Sequence, residues 1–353
     1  MKENGTRSFK PVGSQVRFDR SRRRKKRTAI IWAIAAVSLA ITVFAFLIFA
    51  ELFGWFEKSP EGPGEEGGEN NGKLEFEEIL VSSDEKHVGD LILINSSFPF
   101  VFPETAPELF DIYSNRTLHE YVNDAGEQKK VYAYYPQSAQ NCAKYDRITL
   151  DALNALADDF YKATGDINLF IYDEDGYRSQ SAQEGYYAKD SVNYVPAGQS
   201  EHHTGKALDL YTYSGTGSIA GISPSSVYKW IYDNAYKYGF IHRYPEAKAN
   251  ITGITTKYEA YHFRYVGYAH AYYMYQNGLC LEEYLDLIRD SHSYADGALE
   301  FVGDDGNQYS VYYVAASSDP VTSVPVPKTS DKISYSISGD NKEGFIVTVI
   351  EEK

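Results

Sequence analysis

The sequence predicts an α+β protein with a mostly antiparallel central sheet flanked by helices, an N-terminal transmembrane helix and a small C-terminal β appendage. Amphipathic helical segments and short strand-like segments follow each other without the regular βαβ alternation of a parallel sheet. An uncharged stretch occupies residues 28–50, and alternating strand-like segments dominate after about Tyr294. These patterns divide the chain into an anchor, a mixed domain and a β-rich end.

The first 50 residues have the pattern of a membrane anchor. Residues 1–27 hold eleven Lys or Arg and two acidic residues, and Thr28–Ala50 carries no charge over 23 residues. A helix of that length, at about 1.5 Å per residue, crosses a hydrocarbon core roughly 30 Å thick. The basic flank predicts a cytoplasmic tail at 1–27, one transmembrane helix at 28–50 and an extracellular body. A cleavable signal peptide is the alternative, but Ile48 stands where its cleavage site needs a small residue.

Composition limits what the rest of the chain does. We predict a flexible linker at 51–73, because Glu57–Lys73 contains five Glu, five Gly and two Pro but no apolar residue. The total charge of −15 becomes −24 when the basic segment, at +9, is set apart, which excludes nucleic acid as a partner. Cys142 and Cys280 are too few for a disulfide framework, and the sequence leaves open whether they pair or remain buried thiols.

Residues 74–294 are predicted to form the mixed domain. Apolar residues at helical spacing predict a helix over Arg147–Gly165, with Thr149 as its N-cap and Gly165 as its end. The apolar segment Ile167–Tyr172 predicts a buried strand. A second helix is predicted from Ser223 to Gly239.

Residues 295–353 are predicted to form the C-terminal appendage. Leu299–Ala315 and Tyr335–Ile350 each combine alternating apolar residues with an Asp-Gly or Asn-containing turn, which is typical of a β-hairpin. The proline-containing segment Ser323–Lys328 lies between the two hairpins.

The segment QSEHHTGKALDLY, Gln199–Tyr211, combines metal-ligating residue types with small neighbours. His202 falls in a polar turn, while Gly205, Ala207 and Asp209 alternate and are expected to share one face of a strand. The small residues leave room for a metal ion and a substrate beside the carboxylate. The alternative is a solvated histidine and aspartate that bond only to each other.

A second segment, YEAYHFRYVGYAHA at Tyr258–Ala271, contains Glu259 and His262. Metal-assisted hydrolysis needs a base beside the attacking water, and a glutamate three residues before a ligand meets that need. The spacing differs from the HExxH signature of helical metalloproteases. A regular strand would point the two side chains to opposite faces, so we predict a bend or bulge between them.

These residues resemble a known family. SEHHTGKALD fits S-x-H-x-x-G-x-A-x-D, and EAYHFRYVG resembles the E-x-W-H-x-R motif of the VanY-type D-alanyl-D-alanine carboxypeptidases, which are M15 zinc peptidases. GYRSQSAQ, Gly176–Gln183, is similar to an upstream segment of that family. The resemblance covers most of Leu74 to about Asp290. One departure is Tyr261, which stands where the family usually has Trp and puts the fine substrate preference in doubt.

The resemblance implies a Hedgehog/DD-peptidase-like fold and a zinc enzyme. In that family's pattern His202, Asp209 and His262 bind Zn²⁺. Glu259 is then the general base, and Arg178 stabilises the oxyanion. Without the resemblance, a structural salt bridge is the simpler role for Arg178.

The implied substrates are peptidoglycan stem peptides that end in D-Ala-D-Ala and lose the last D-Ala outside the membrane. Ser200 and Gln183 are expected to hold the substrate's terminal carboxylate. Tyr244 is a candidate for lining the substrate groove. Because every substrate carries a carboxylate, we expect the site to be a local positive spot in an acidic body.

Several alternatives stay open at this point. The same zinc family includes L,D-carboxypeptidases and D,D-dipeptidases, and a non-catalytic wall-binding protein is the non-enzymatic alternative. A serine-type penicillin-binding enzyme is disfavoured, because Ser226–Lys229 matches S-x-x-K without S-D-N or K-T-G partners.

The remaining histidines are given lesser roles. His203 is not expected to bind the metal, because adjacent side chains in an extended segment point apart. His270 is expected to pack on a helix, and His242 is a candidate for supporting a ligand. Arg264 is expected either to orient a carboxylate or to form a plain structural ion pair.

Overall fold

The computed structural model describes residues 74–122, 125–214, 217–254 and 259–353. The predicted cytoplasmic tail, transmembrane helix and linker, at 1–27, 28–50 and 51–73, lie outside these residues. Within the described part of the chain, no helix combines the length and the apolar character that crossing a bilayer requires.

Helices and strands are mixed along the described chain, as predicted. The helices are α1 (Arg147–Thr164), α2 (Gln180–Lys189), α3 (Lys229–Asn234), α4 (Ala249–Thr252), α5 (Tyr268–Asn277) and α6 (Leu281–Ser291). Short 3₁₀ segments lie at Ser83–His87, Glu201–Thr204, Ser226–Tyr228, Ala235–Tyr238 and Glu246–Lys248.

The strands are short, and each contains two to eight residues. They are β1 (Phe76–Ser82), β2 (Phe110–Asp111), β3 (Leu118–Val122), β4 (Gln128–Tyr132), β5 (Tyr134–Pro136), β6 (Lys144–Tyr145), β7 (Leu169–Ile171), β8 (Ala207–Asp209), β9 (Tyr211–Tyr213), β10 (Ile219–Gly221), β11 (Phe240–His242), β12 (His262–Tyr265), β13 (Leu299–Val302), β14 (Gln308–Ala315), β15 (Val321–Pro327), β16 (Ile333–Gly339) and β17 (Gly344–Glu351).

Helix α1 confirms the first helical prediction, with a different cap. Asp146, not Thr149, is the N-cap, because its carboxylate accepts a hydrogen bond from the Thr149 backbone N–H at 2.7 Å. Gly165 ends the helix in the left-handed region at φ 72°, where glycine has no steric penalty. The buried face of α1, which includes Leu150 and Phe160, packs into the largest apolar cluster.

The predicted helix from Ser223 to Gly239 is broken into shorter pieces. Regular α-helix is confined to Lys229–Asn234, with 3₁₀ turns at Ser226–Tyr228 and Ala235–Tyr238. Gly239 ends the segment at φ 82°, as predicted. The sequence pattern therefore located the end of the segment correctly but overestimated the length of regular helix.

The strands are mostly antiparallel, as predicted, but they form several small sheets instead of one central sheet. The orders are β10-β9-β7-β5, β11-β12-β8 and β13-β14-β17-β16, with two-stranded pairs β1-β15, β2-β6 and β3-β4. Among the described strands, β5 and β7 form the one parallel pair. The three-stranded sheet matters most for the site, because its register places Asp209 of β8 directly opposite His262 of β12.

Both predicted C-terminal hairpins are confirmed, as β13–β14 and β16–β17. The sequence did not predict that the proline-containing strand β15 pairs with β1 at the start of the described chain. Proline is compatible with this position because a two-stranded pair leaves one edge of each strand without partners. Residues of β13, β14 and β17 share an apolar cluster with α5 and α6.

Cys142 and Cys280 are separate buried thiols. Cys280 is the N-cap residue of α6, where its backbone N–H bonds to the Glu283 carboxylate at 3.0 Å. The structure thus resolves the question that the sequence left open.

Candidate active site

Three potential metal ligands converge at the three-stranded sheet. His202, Asp209 and His262 are all buried, and each offers a ligand atom within 4.8 Å of the others. Oδ1 of Asp209 lies 2.6 Å from Nδ1 of His262, and Oδ2 lies 3.4 Å from Nε2 of His202. One carboxylate therefore faces both imidazoles, as the sequence motifs predicted.

Two local backbone features bring these side chains together. Gly205 ends the 3₁₀ turn that carries His202, at φ 69°, and directs the chain into β8. Because Gly205 precedes the strand, only Ala207 and Asp209 follow the predicted alternation. The predicted bend is confirmed, since the His262 N–H bonds to the Glu259 carbonyl at 3.1 Å in a turn just before β12.

The second nitrogen of each imidazole is also occupied. Nδ1 of His202 lies 3.0 Å from the Gly176 carbonyl oxygen, which accepts its proton and leaves Nε2 toward Asp209. Nε2 of His262 lies 3.3 Å from Oε2 of Glu201, which leaves Nδ1 as its inward atom. Histidines that bind metals usually donate their other N–H in this way. The donor set of two imidazoles and one carboxylate fits zinc with a position left for water.

Glu201 is a site residue that the sequence analysis missed. Its carboxylate is buried and accepts a 2.7 Å bond from Nε of Arg243, with Nη1 of Arg264 3.6 Å away. Arg243 also forms a bidentate pair with Glu282 of α6, at 2.7 and 2.9 Å. Arg264 therefore lies beside a carboxylate, an arrangement common to both roles predicted for it. The signal available was the acidic residue inside the SEHH motif, but nothing local indicated its partners.

Burial and neighbouring charges shift the pKa values of the two histidines in opposite directions. Burial, followed by the charge of Arg178, lowers the pKa of His202 to about 4. Burial also opposes the charged form of His262, but Asp209 and Glu201 outweigh it and raise its pKa to about 10. Although burial raises the carboxyl pKa of Asp209, the two imidazoles lower it overall. The metal-free cluster is thus an aspartate, a neutral His202 and an imidazolium at His262.

Arg178 lies in the same cavity and is held on three sides. Its Nε donates to the Glu174 carbonyl at 2.6 Å, and its Nη2 lies 3.5 Å from Asp175. Nη1 lies 3.5 Å from Oε1 of Gln183, which is itself buried and donates to the Val195 carbonyl at 2.7 Å. The guanidinium is therefore positioned by fixed partners. One of them is Gln183, which the sequence analysis assigned to the substrate's terminal carboxylate.

A cavity of about 400 Å³ joins these residues. Its lining also includes the predicted Ser200, Tyr244 and Glu259. The Tyr244 ring stacks on the His262 imidazole, with centroids 5.1 Å apart. All eight residues predicted for the site thus line one cavity.

The expected positive spot is not present in the residues alone. The lining contains two guanidinium groups, Arg178 and Arg243, and five carboxyl groups, at Glu174, Asp175, Glu201, Asp209 and Glu259. Positive charge in the lining is therefore confined to these two guanidinium groups and the His262 imidazolium.

Three tyrosines form one wall of the cavity. The Tyr261 ring stacks on Tyr211 at 5.1 Å, and Tyr211 meets the edge of Tyr172 at 4.8 Å. Gly221 of β10 makes room for this stack, because a Cβ there would lie 2.3 Å from the Tyr261 ring. The aromatic wall thus extends from Tyr261 to Tyr211 and Tyr172.

The other histidines support the structure. His203 bonds to the Arg178 carbonyl at 2.7 Å and accepts from the Gly198 N–H at 3.0 Å, so it is not a ligand, as predicted. His270 on α5 bonds to the Tyr284 hydroxyl, and His242 packs against aromatic rings. The serine-enzyme alternative is not supported, because Lys229 pairs with a surface aspartate and does not line the cavity.

Comparison with known proteins places the chain among D-alanyl-D-alanine carboxypeptidases. Residues 124–268 match the family model described as VanY, D-alanyl-D-alanine carboxypeptidase. The chain is 32% identical over 284 residues to a D-alanyl-D-alanine carboxypeptidase of Enterococcus faecium, covering 80% of this chain and 82% of that protein. It is 28% identical to a D-alanyl-D-alanine carboxypeptidase of Enterococcus faecalis, covering 74% and 91%.

A solved structure shares the fold. The vancomycin resistance D,D-dipeptidase VanXYg, in complex with a D-Ala-D-Ala phosphinate analog, superposes with a TM-score of 0.62 at 24% identity, covering 78% of this chain and 100% of that chain. The family match, together with the buried imidazole–carboxylate cluster, places the chain among the metallopeptidases. Within that class, the chain belongs to the VanY family of D-alanyl-D-alanine carboxypeptidases.

Proposed function

We propose that this protein is a zinc-dependent D-alanyl-D-alanine carboxypeptidase that removes the C-terminal D-Ala from peptidoglycan stem peptides. The observation that carries the proposal is the convergence of His202, Asp209 and His262 beside Arg178 and Glu259 in one cavity. Family membership supports the reaction class, and the geometry supports the assignment of roles. His202 through Nε2, His262 through Nδ1 and the Asp209 carboxylate would hold the zinc ion.

Zinc bound at these residues supplies a Lewis acid that polarises a carbonyl and makes water nucleophilic near neutral pH. The protein's own contribution begins with Glu259. Its backbone leads through a single turn into His262, and Glu259 lines the same cavity as the three candidate ligands. Glu259 takes the proton of the attacking water and delivers it to the departing D-Ala amine.

Arg178 acts on the oxygen of the scissile carbonyl. Negative charge develops there during attack, and a fixed donor stabilises it without having to reorganise. The contacts with Glu174, Asp175 and Gln183 hold the guanidinium in place before the substrate arrives. A single oxyanion donor contributes about 2.7–4 kcal/mol to the transition state.

The substrate's terminal carboxylate is assigned to Ser200 and Gln183. Both line the cavity, and Gln183 is fixed by its bond to the Val195 carbonyl. Tyr244 keeps the His262 ring in plane by stacking on it and covers one side of the groove. Ser200 and Gln183 thereby orient the substrate's C-terminal D-Ala so that the scissile peptide bond lies next to Glu259.

We further propose that the enzyme works at the outer face of the cell membrane. The sequence supports this with the basic segment 1–27, the uncharged stretch 28–50 and the acidic linker 51–73. In this arrangement the N-terminus is cytoplasmic and the domain at 74–294 is extracellular, next to its peptidoglycan substrate. Fusing a reporter enzyme to each end of the chain tests the orientation.

The activity is tested with the full chain, purified in mild detergent with and without zinc. A stem pentapeptide ending in D-Ala-D-Ala is expected to release D-Ala only when zinc is present, and a β-lactam should not inhibit the release. Cleavage confined to tetrapeptides would assign an L,D-carboxypeptidase, and cleavage confined to free D-Ala-D-Ala would assign a D,D-dipeptidase. Release that persists unchanged in His262→Ala with unaltered metal content would overturn the zinc assignment.

A further inference from the structure

Part of the cavity wall comes from outside the region that matches the family model. Ile94, Asn95 and Ser96 line the cavity, yet the match begins at residue 124. Asn95 organises a tight turn, because its Oδ1 accepts the N–H groups of Ser97 and Phe98 at 2.8 and 3.0 Å. We call residues 94–96 the N-terminal wall.

The β16–β17 hairpin forms hydrogen bonds with the segment that contains this wall. Asn341, in the turn between β16 and β17, donates from Nδ2 to the carbonyls of Leu93, Phe98 and Pro99 at 2.8, 3.1 and 3.1 Å. These three acceptors flank the N-terminal wall on both sides. The Leu93 N–H in turn donates to the Asp340 carbonyl at 3.1 Å. The bonded residues are 248, 243 and 242 positions apart in the sequence.

The turn itself is built for this contact. Among the described residues, Asn341 is the one non-glycine residue with a positive φ, 59°, a conformation that asparagine tolerates better than most residues. The buried Asp340 carboxylate holds the turn by accepting the N–H groups of residues 342, 343 and 344 at 2.7–3.1 Å. Gly339 permits close approach, since a Cβ there would lie 2.0 Å from the Lys86 carbonyl oxygen.

The same segment continues to the catalytic side of the cavity. The Phe100 N–H donates to the Gly198 carbonyl at 2.7 Å, and the Phe100 ring stacks on His203 at 5.7 Å. His203 in turn bonds to the carbonyl of Arg178 at 2.7 Å. The turn at Asn341 is thus connected, through residues 93–100, to the loop that carries Ser200.

We propose that Asn341 is a positioning residue that holds the N-terminal wall and thereby sets the enzyme's affinity for its peptide substrate. The inference rests on the proposed function, because the wall lines the cavity assigned to the stem peptide. It gives the C-terminal sheet a role in substrate binding, although no residue of that sheet lines the cavity. The chemistry at the zinc ligands is not affected.

The test compares Asn341→Asp with Glu343→Gln in the full chain. Aspartate keeps the size and the tolerated φ but places an acceptor against three carbonyl oxygens, whereas Glu343 is an exposed residue of the same turn. We expect Asn341→Asp to raise KM for the pentapeptide about tenfold, a change equivalent to roughly 1.4 kcal/mol. The kcat should change far less, zinc content should not change, and amides of residues 89–100 should exchange hydrogen faster. Glu343→Gln should match the wild type.

A merely structural role gives a different pattern, because partial unfolding lowers the amount of active enzyme and hence kcat at unchanged KM. An unchanged KM in a folded Asn341→Asp protein overturns the inference. If that variant does not fold, Asn341→Gly keeps the backbone conformation and Asn95→Ala disrupts the wall without touching the hairpin. An unchanged KM in Asn95→Ala also overturns it. A wild-type protein that neither binds nor cleaves the pentapeptide overturns the proposed function and this inference together, whereas an active wild type isolates the inference.

Discussion

Replacing Glu201 with glutamine tests whether a buried carboxylate next to a ligand controls the metal site. Glu201 accepts from Nε2 of His262 at 3.3 Å, and its charge is balanced by Arg243 at 2.7 Å and Arg264 at 3.6 Å. Glutamine keeps the shape but removes the charge. The imidazole then loses the charged acceptor that favours a proton on Nε2 and leaves Nδ1 for the metal, because the amide oxygen of glutamine is a weaker acceptor.

The size of the effect follows from these contacts. Removing an outer partner of a metal-binding histidine typically costs 10–100-fold in metal affinity, or about 1.4–2.7 kcal/mol. Glu201 is fully buried, so solvent does not screen the loss. Fold stability is also expected to fall, by about 1–3 kcal/mol, because two buried guanidinium groups lose a charged acceptor. We therefore expect the zinc Kd of Glu201→Gln to rise at least tenfold.

Competition with a chromophoric chelator measures the zinc Kd, and thermal unfolding of the metal-free protein measures stability. Glu282→Gln is the matched control, because Glu282 pairs with the same Arg243 but does not touch His262. That variant should lose stability while keeping the wild-type zinc Kd. Equal zinc affinity in Glu201→Gln and the wild type would refute the reasoning, and so would an equal loss in both variants.

Three further predictions concern the chemistry of the cavity. Arg178→Ala should lower kcat for D-Ala release by about 10²–10³, with a smaller change in KM, and equal losses in both would argue for a substrate-binding role instead. Zinc binding at pH 7 should release about one proton, because His262, with a pKa of about 10, is protonated in the metal-free site, whereas His202, with a pKa of about 4, is not. Zinc affinity should therefore rise as pH rises toward 10. Calorimetry in buffers of different ionisation enthalpy measures the number of protons released on zinc binding. A number near zero would contradict the protonated state assigned to His262. Gly221→Ala should displace the Tyr261 ring and raise KM, since the added Cβ would lie 2.3 Å from that ring, whereas an unchanged KM would remove the aromatic wall from substrate binding.

The grouping of the candidate ligands could be predicted from the sequence because these residues lie in two short motifs. His202 and Asp209 lie in one segment, and Glu259 and His262 lie in another. The bend before His262 was also predictable, because a regular strand would have separated it from Glu259. The helix over 223–239 was overestimated, since apolar periodicity does not distinguish α-helix from a series of 3₁₀ turns.

The sequence also could not decide which residue is the N-cap of α1. Both Asp146 and Thr149 are good capping residues, and only the observed bond from the Thr149 N–H to Asp146 distinguishes them. The prediction of a single central sheet was also wrong. Strands of two or three residues are too short for their hydrophobic alternation to indicate which strands they pair with.

The sequence by itself determined the α+β class, the C-terminal hairpins and the identity of the candidate ligands, because each depends on residues close together in the chain. Only the tertiary structure decided which residues surround them. Arg243 reaches Glu201 across 42 residues, and Asn341 reaches Leu93 across 248. Local periodicity and motif spacing carry no information about such contacts, which form when separate segments are packed together by the burial of apolar side chains.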